Sequence, residues 1–407
     1  MTLSPGGHSD VVCRGTGFRR AGKVSQTAAP TTAGTATVLA NPLAGRAAVW
    51  SPYSREPLEF HRRLRGYRAT PLVHATALAR HFAIKQLLIK SEVSRLGLMS
   101  FKMLGASWAC YRALVQHAGE EPKGWASLEE LAAAFRPLRP FAFATATDGN
   151  HGHSVARVAR WLGFEARIFV PEGTAIARIE AISAEGATVT VVPGSYEDAV
   201  VRAAEEAAQR CLVISDTSWA GYEEVPRWVI EGYSTMFWEI DDRLQATGRP
   251  CPDLVVVPVG VGSLAASAVN HYCRQADRVK IVSVEPLGAN CVMASALAGR
   301  PVTVPGPHRS VMAGLNCGTP SPVAWPLVSA GVSTLVAVGD DLARRAVRDF
   351  ASIAIQAGET GAAAMAGLRA LHGEGTVLSS TTSALLICTE GPTDPVQWQR
   401  SLGVEVV

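Results

Sequence analysis

A chain of 407 residues that is 48% hydrophobic and 18% charged can bury a large core, and its length suits two or three domains. With 38 basic against 35 acidic residues and a net charge of +3, it carries no basic stripe interleaved with aromatics, so nucleic acid is not an expected partner. The most apolar stretch, 254–269, is broken by Pro258, Gly260 and Gly262 and reads as strand, loop and helix rather than a membrane span, so no membrane partner is expected.

Residues 1–35 are rich in Gly, Ser, Thr, Ala and Pro and lack periodicity, which predicts a disordered N-terminal tail. Further along, 141–146 reads as a strand, 148–152 as a turn and 154–162 as a helix. A strand at 166–170, a helix at 175–184, a strand at 187–192, a helix at 196–210 and a short apolar run at 211–215 follow. A second series comprises strands at 254–258, 280–284 and 384–388 with a helix at 265–274. Near-continuous Val, Ile and Ala strands alternating with helices predict an α/β fold: two parallel-sheet α/β units, the smaller inserted in the larger. The expected large domain is 36–103 with 218–407, and the expected small mobile domain is 104–217. The eight cysteines are scattered without C-x-x-C pairs or histidines at zinc spacing, which fits reduced thiols in a cytoplasmic enzyme and predicts no metal site.

Lys102 is one of only six lysines and has apolar or small neighbours for several positions on both sides. Folding would carry its amine toward a poorly solvated place, where desolvation lowers the pKa and makes the amine a nucleophile or base. The alternative is a stem lying along apolar surface with its head in water. The turn from Thr147 through Asp148, Gly149, Asn150 and His151 to Gly152 lies between a strand and a helix, so its backbone N–H groups can receive an anion. A helix cap with ordinary turn residues would look the same. Gly260, Val261, Gly262 and Ser263 likewise follow a strand and open a helix, suiting a phosphate monoester or an ordinary tight turn. Thr389 ends an apolar strand, where its hydroxyl can meet a pyridine nitrogen or merely finish the strand. Asp216 follows Ser215 as a second carboxylate or a cap.

In order along the chain, Ser100-Phe101-Lys102, Asp148-Gly149-Asn150-His151-Gly152, the glycine loop with Val284-Glu285-Pro286, and the late strand ending in Thr389 resemble the fold-type II, tryptophan-synthase-β-like pyridoxal phosphate enzymes. Within that family, Gly66 to Leu72, Asp216-Thr217-Ser218-Trp219, Met312-Ala313-Gly314-Leu315 with Cys317-Gly318, and Thr389-Glu390-Gly391 look like signatures of the diaminopropionate ammonia-lyases. The resemblance covers about residue 60 to the C-terminus, and Asp148 is its sharpest discriminator from the dehydratases, which usually carry serine there.

The resemblance implies that Lys102 binds the cofactor pyridoxal 5'-phosphate, with Phe101 beside it. Asn150 would meet the phenolic oxygen, Gly260 to Ser263 would cradle the phosphate, and Thr389 would face the ring nitrogen. It implies a small amino-acid substrate, 2,3-diaminopropionate, contacted by Thr147, Asp148, Gly149, His151 and Asp216 and converted to pyruvate and two ammonia. Lys102, Asp148 and Asp216 would be catalytic. Lys102 would take the Cα proton of an L-substrate. Asp148 would take that of a D-substrate or anchor the second amino group, and Asp216 would bind the β-ammonium. A homodimer is also implied. Ala220, where a glutamate is expected, and Ser100, as in dehydratases, depart from the pattern. They leave open a threonine or serine deaminase or a β-replacement enzyme; a further alternative, an inactive paralogue binding pyridoxal phosphate or an amino acid, is argued against by Lys102, Asp148 and Asp216. Cys291 and Cys317, near the expected entrance, are candidates for an oxidation-sensitive clip.

Overall fold

Strands without polar alternation need cover on both faces, and the sequence supplies helices between them to provide it. A computed structural model describes residues 36–45, 51–272, 279–374 and 378–404. The expected N-terminal tail lies outside the described residues. The strands are β1 (Ala36–Ala40), β2 (Leu72–His74), β3 (Gln86–Ser91), β4 (Ala142–Ala146), β5 (Glu165–Pro171), β6 (Thr188–Val192), β7 (Cys211–Val213), β8 (Leu254–Pro258), β9 (Lys280–Pro286), β10 (Val332–Val338) and β11 (Ser383–Cys388).

Seven of them form one sheet in the order β1-β10-β9-β8-β11-β3-β2, and four form another in the order β6-β5-β4-β7. The five central strands of the large sheet run parallel, while β1 and β2 pair antiparallel at its edges. The small sheet is parallel throughout. Both sheets were expected from the run of apolar segments. Within the large sheet, β1, β2, β3 and β10 were not among the expected strands; β1 and β2 are only three to five residues long and carry little period.

Two boundaries differ from expectation. The helix after the 147–152 turn begins at Asn150 instead of 154, because Thr147 Oγ1 accepts the N–H groups of Gly149 (2.9 Å) and Gly152 (3.0 Å) and folds the turn into the first helical turn. The helix starting at Tyr196 ends at Ala204, six residues short of the expected end. Beyond it Glu206 accepts from Arg167 (2.9 Å) and Arg202 (2.7 Å), and Ala208 bridges to Cys211.

The Lys102–Ala118 helix packs along the Glu224–Ala246 helix at unusually close range. A Cβ on Gly232 would stand 2.6 Å from the Leu104 carbonyl oxygen, and one on Gly105 would stand 2.5 Å from the Tyr233 ring, so both positions exclude a side chain. Beneath the segment leading to Lys102 lies a buried ionic network. Glu239 accepts from Lys90 (2.5 Å) and from both terminal nitrogens of Arg95 (2.7 and 2.8 Å), and Arg95 also donates to Glu92 (2.7 and 2.8 Å).

Burial alone would raise the Glu239 pKa, but Arg95 and Lys90 outweigh it and hold the carboxyl down at about 2. A carboxyl depressed in the folded state adds stability that is complete above its unfolded pKa and is lost as pH falls toward 2. Replacing Glu239 by alanine removes the nearest carboxylate of the buried Lys90 amine and leaves Arg95 with Glu92 alone, and is expected to cost about 3–5 kcal/mol. The expected result is a large fall in Tm at pH 7 that narrows on acidification. An unchanged Tm would contradict the role of this network.

Candidate active site

In open parallel sheets the crevice lies beyond the carboxyl ends of the strands, and here both sheets turn those ends to one cavity. From the small sheet, β4 delivers Thr147 to His151 and β7 delivers Asp216. From the large sheet, β3 leads through residues 92–101 to Lys102, β8 to Gly260–Ser263, and β11 to Thr389 and Glu390. The cavity encloses about 690 Å³ of non-atom space. Its lining includes Phe101, Lys102, Thr147, Asp148, Asn150, His151, Asp216, Gly260, Val261, Gly262, Ser263 and Thr389. Residues separated by up to 289 positions, from Phe101 to Glu390, therefore share one chamber. Gly149 does not line it. With φ +146° it caps the helix and borders a neighbouring cavity beside Arg178 and His153 instead.

Lys102 Nζ donates to Asp216 Oδ2 in a short ion pair, and Tyr196 Oη donates to Asp216 Oδ1 at 3.1 Å. Sequence reasoning expected a lowered Lys102 pKa, and the free chain corrects this. Burial, the largest single influence, pushes it down, but Asp216, Tyr233 and Asp148 together outweigh burial and raise it, which favours the ammonium. Asp216 is correspondingly held well below the usual carboxylate range: burial opposes this, and Lys102, His151 and Tyr196 together overcome it. Asp148 behaves oppositely, because burial raises its pKa and Arg178 and Lys102 only partly offset that. Two carboxyl groups in one chamber thus have proton affinities pushed apart, the arrangement that separates proton carriers from fixed charges.

The capping alternatives for the two acids do not hold. Thr147 binds the turn N–H groups, and Ser215 Oγ takes the Thr217 N–H (3.2 Å), leaving both carboxylates free of that task. His151 Nε2 meets the Ile214 carbonyl at 2.7 Å and so carries its proton there, while Nδ1 is buried without a hydrogen-bond partner among the described residues and burial holds the ring neutral.

Ser263 Oγ donates to the Asp216 carbonyl at 2.8 Å, tying the glycine loop to the acid. Thr389 Oγ1 reaches the Thr360 carbonyl at 3.4 Å. Cys291 opens the Cys291–Ala298 helix instead of lying in a loop, and its thiol donates to the Gly260 carbonyl (3.6 Å). Cys291 and Cys317 are both free thiols. Sequence reasoning missed Tyr196 and Arg178. The Ser195 to Asp198 capping box, which starts a helix directly at Tyr196, was the available signal for the first.

The chamber fits pyridoxal phosphate. It presents a buried lysine amine, and the glycine loop leaves room only in the absence of side chains. A Cβ on Gly260 would stand 3.1 Å from Cys317 Sγ, and Gly262 has φ +101°, which L side chains rarely adopt. These observations define a cofactor-dependent enzyme of the fold-type II class. A family model described as pyridoxal-phosphate dependent enzyme matches residues 64–388, and the chain belongs to that family.

Within it the chain groups with the diaminopropionate ammonia-lyases. The Salmonella typhimurium diaminopropionate ammonia-lyase is 34% identical over 362 residues, spanning 84% of this chain and 89% of that protein. The Escherichia coli K12 relative is 34% identical over 354 residues, spanning 83% and 87%. The crystal structure of the Escherichia coli enzyme in complex with D-serine superposes with a TM-score of 0.83 at 30% identity, covering 91% of this chain and 97% of that one.

Proposed function

We propose that this chain eliminates ammonia from 2,3-diaminopropionate with pyridoxal phosphate held at Lys102, yielding pyruvate and two ammonia. The observation that carries the reading is the pair of acids, Asp148 and Asp216, facing the same chamber as the Lys102 amine. Asn150 would meet the cofactor's phenolic oxygen, Gly260 to Ser263 its phosphate, and Thr389 its ring nitrogen. When bound, the cofactor supplies an electron sink that acidifies the Cα–H bond of an attached amino acid.

The chain's own residues then divide the work. In the free chain the Lys102 ammonium is the counter-ion of Asp216. With Nζ engaged by the cofactor, a substrate β-ammonium would pair with Asp216 in its place, and Nζ, once exchanged for the substrate's α-amine, would be a neutral amine able to receive the Cα proton of an L-substrate. Tyr196 keeps Asp216 oriented during the exchange. Asp148, whose raised proton affinity suits it to carry a proton, receives the Cα proton of a D-substrate. Serine has a neutral hydroxyl in place of the β-ammonium, so its binding would leave Asp216 desolvated and unpaired, which supports selectivity for the diamine.

Residues 104–217 are read as a small domain that closes over the substrate and excludes water. We also read the protein as a cytoplasmic homodimer, supported by the buried free thiols Cys110, Cys291 and Cys388 and by the prevalence of two-fold oligomers. The test is pyruvate release from D- and L-diaminopropionate beside serine and threonine. Turnover of diaminopropionate well above serine is expected, and turnover of serine without diaminopropionate would overturn the assignment.

A further inference from the structure

Glu390 follows Thr389 at the end of β11 and is 2% exposed, yet the cofactor contacts proposed above do not use it. Its backbone is fixed from two sides. It bridges to Ser100, with the Phe101 N–H donating to the Thr389 carbonyl (3.1 Å) and the Gly391 N–H to the Met99 carbonyl (2.9 Å). On the opposite side the Gly358 N–H donates to the Glu390 carbonyl (3.1 Å), and a Cβ on Gly361 would stand 2.1 Å from that same oxygen. The segment carrying Glu390 is thereby joined to the segment that carries Lys102.

The carboxylate itself reaches across to the other sheet. Asn150 Nδ2 donates to Glu390 Oε2 in a short hydrogen bond, so the amide at the start of the Asn150–Leu162 helix is held by an acid at the end of β11. An amide nitrogen has two hydrogens. With one committed to Glu390, the rotation of the side chain is set and the second hydrogen has a fixed direction.

We infer that Glu390 is a positioning residue that acts through Asn150, pinning the amide that meets the cofactor's phenolic oxygen and placing a negative charge behind it. The inference rests on the reading that pyridoxal phosphate occupies this chamber. The charged groups facing Glu390 are Arg178, from the Ile176–Ser183 helix, and Asp148, from the turn before Asn150. Thr360, on the Glu359–Glu374 helix, also hydrogen-bonds to it, whereas the neighbouring Glu359 is taken by Ser401 (2.5 Å). Burial raises the Glu390 carboxyl, Arg178 partly offsets this and Asp148 adds to it, leaving it at about 7, so its charge changes near neutrality.

The experiment uses full-length protein reconstituted with pyridoxal phosphate, reading cofactor Kd and the pH midpoint of the near-visible absorption band. Glu390→Gln keeps shape and removes charge, and is expected to weaken cofactor binding about tenfold. Losing a nearby negative charge disfavours the protonated chromophore, so the midpoint is expected to fall by about one pH unit. Because the effect passes through Asn150, the same substitution in an Asn150→Ala background is expected to change Kd less than about twofold. A Glu390→Gln protein with wild-type Kd and midpoint overturns the inference, as does an undiminished effect in the Asn150→Ala background. A wild-type protein that never develops the band refutes the cofactor reading instead, so the two failures are distinguishable.

Discussion

Replacing Lys102 by alanine is expected to abolish the near-visible band of the reconstituted protein and to lower turnover by at least about a thousandfold, since nucleophile and proton acceptor are lost together. The side chain sits where β3 and its following segment deliver it, paired with Asp216. Its removal strands Asp216 as a buried anion, so the Asp216 pKa should climb from its depressed value. An alanine protein that keeps full lyase activity would break the mechanism at its first step. Melting curves beside the spectra separate loss of chemistry from loss of fold.

Asp148→Asn and Asp216→Asn are expected to fail differently, although both are neutral and nearly isosteric. Asp148 has a raised proton affinity caused first by burial, so it becomes an effective base only above the ordinary carboxylate range. Turnover of the D-substrate should therefore rise as pH climbs through that raised value. Asp148→Asn should remove this limb and cost about 10²–10⁴ in kcat with that isomer.

Asp216 remains ionised throughout that window because Lys102, His151 and Tyr196 together overcome the effect of burial. Asp216→Asn should act through charge recognition, lowering kcat/KM for diaminopropionate by about a hundredfold or more while reducing that for serine much less. Steady-state kinetics of the two variants on D-diaminopropionate, L-diaminopropionate and serine decide the matter. Equal losses on every substrate from both variants would show that the acids do not divide recognition from proton transfer.

The sequence by itself determined the architecture and most of the chamber wall. Unbroken apolar runs such as 254–258 and 384–388 specify strands buried on both faces, and a turn such as 147–152 can stand only at a strand's carboxyl end, where parallel sheets place ligands. Local pattern was sufficient there because period and turn chemistry are properties of neighbouring residues. It missed β1, β2, β3 and β10, and the places of β1 and β2 are fixed by pairing with β10 and β3, for β1 from far along the chain.

The electrostatics belonged wholly to the tertiary structure. From apolar neighbours alone Lys102 reads as a lysine of lowered pKa. Folding sets Asp216, 114 positions away, against its amine and reverses the sign. The same holds for Glu390, whose tie to Asn150 spans 240 positions and joins the ends of two sheets. A pKa or a side-chain orientation depends on charges within a few ångströms, and which charges those are is decided only when distant strands pack.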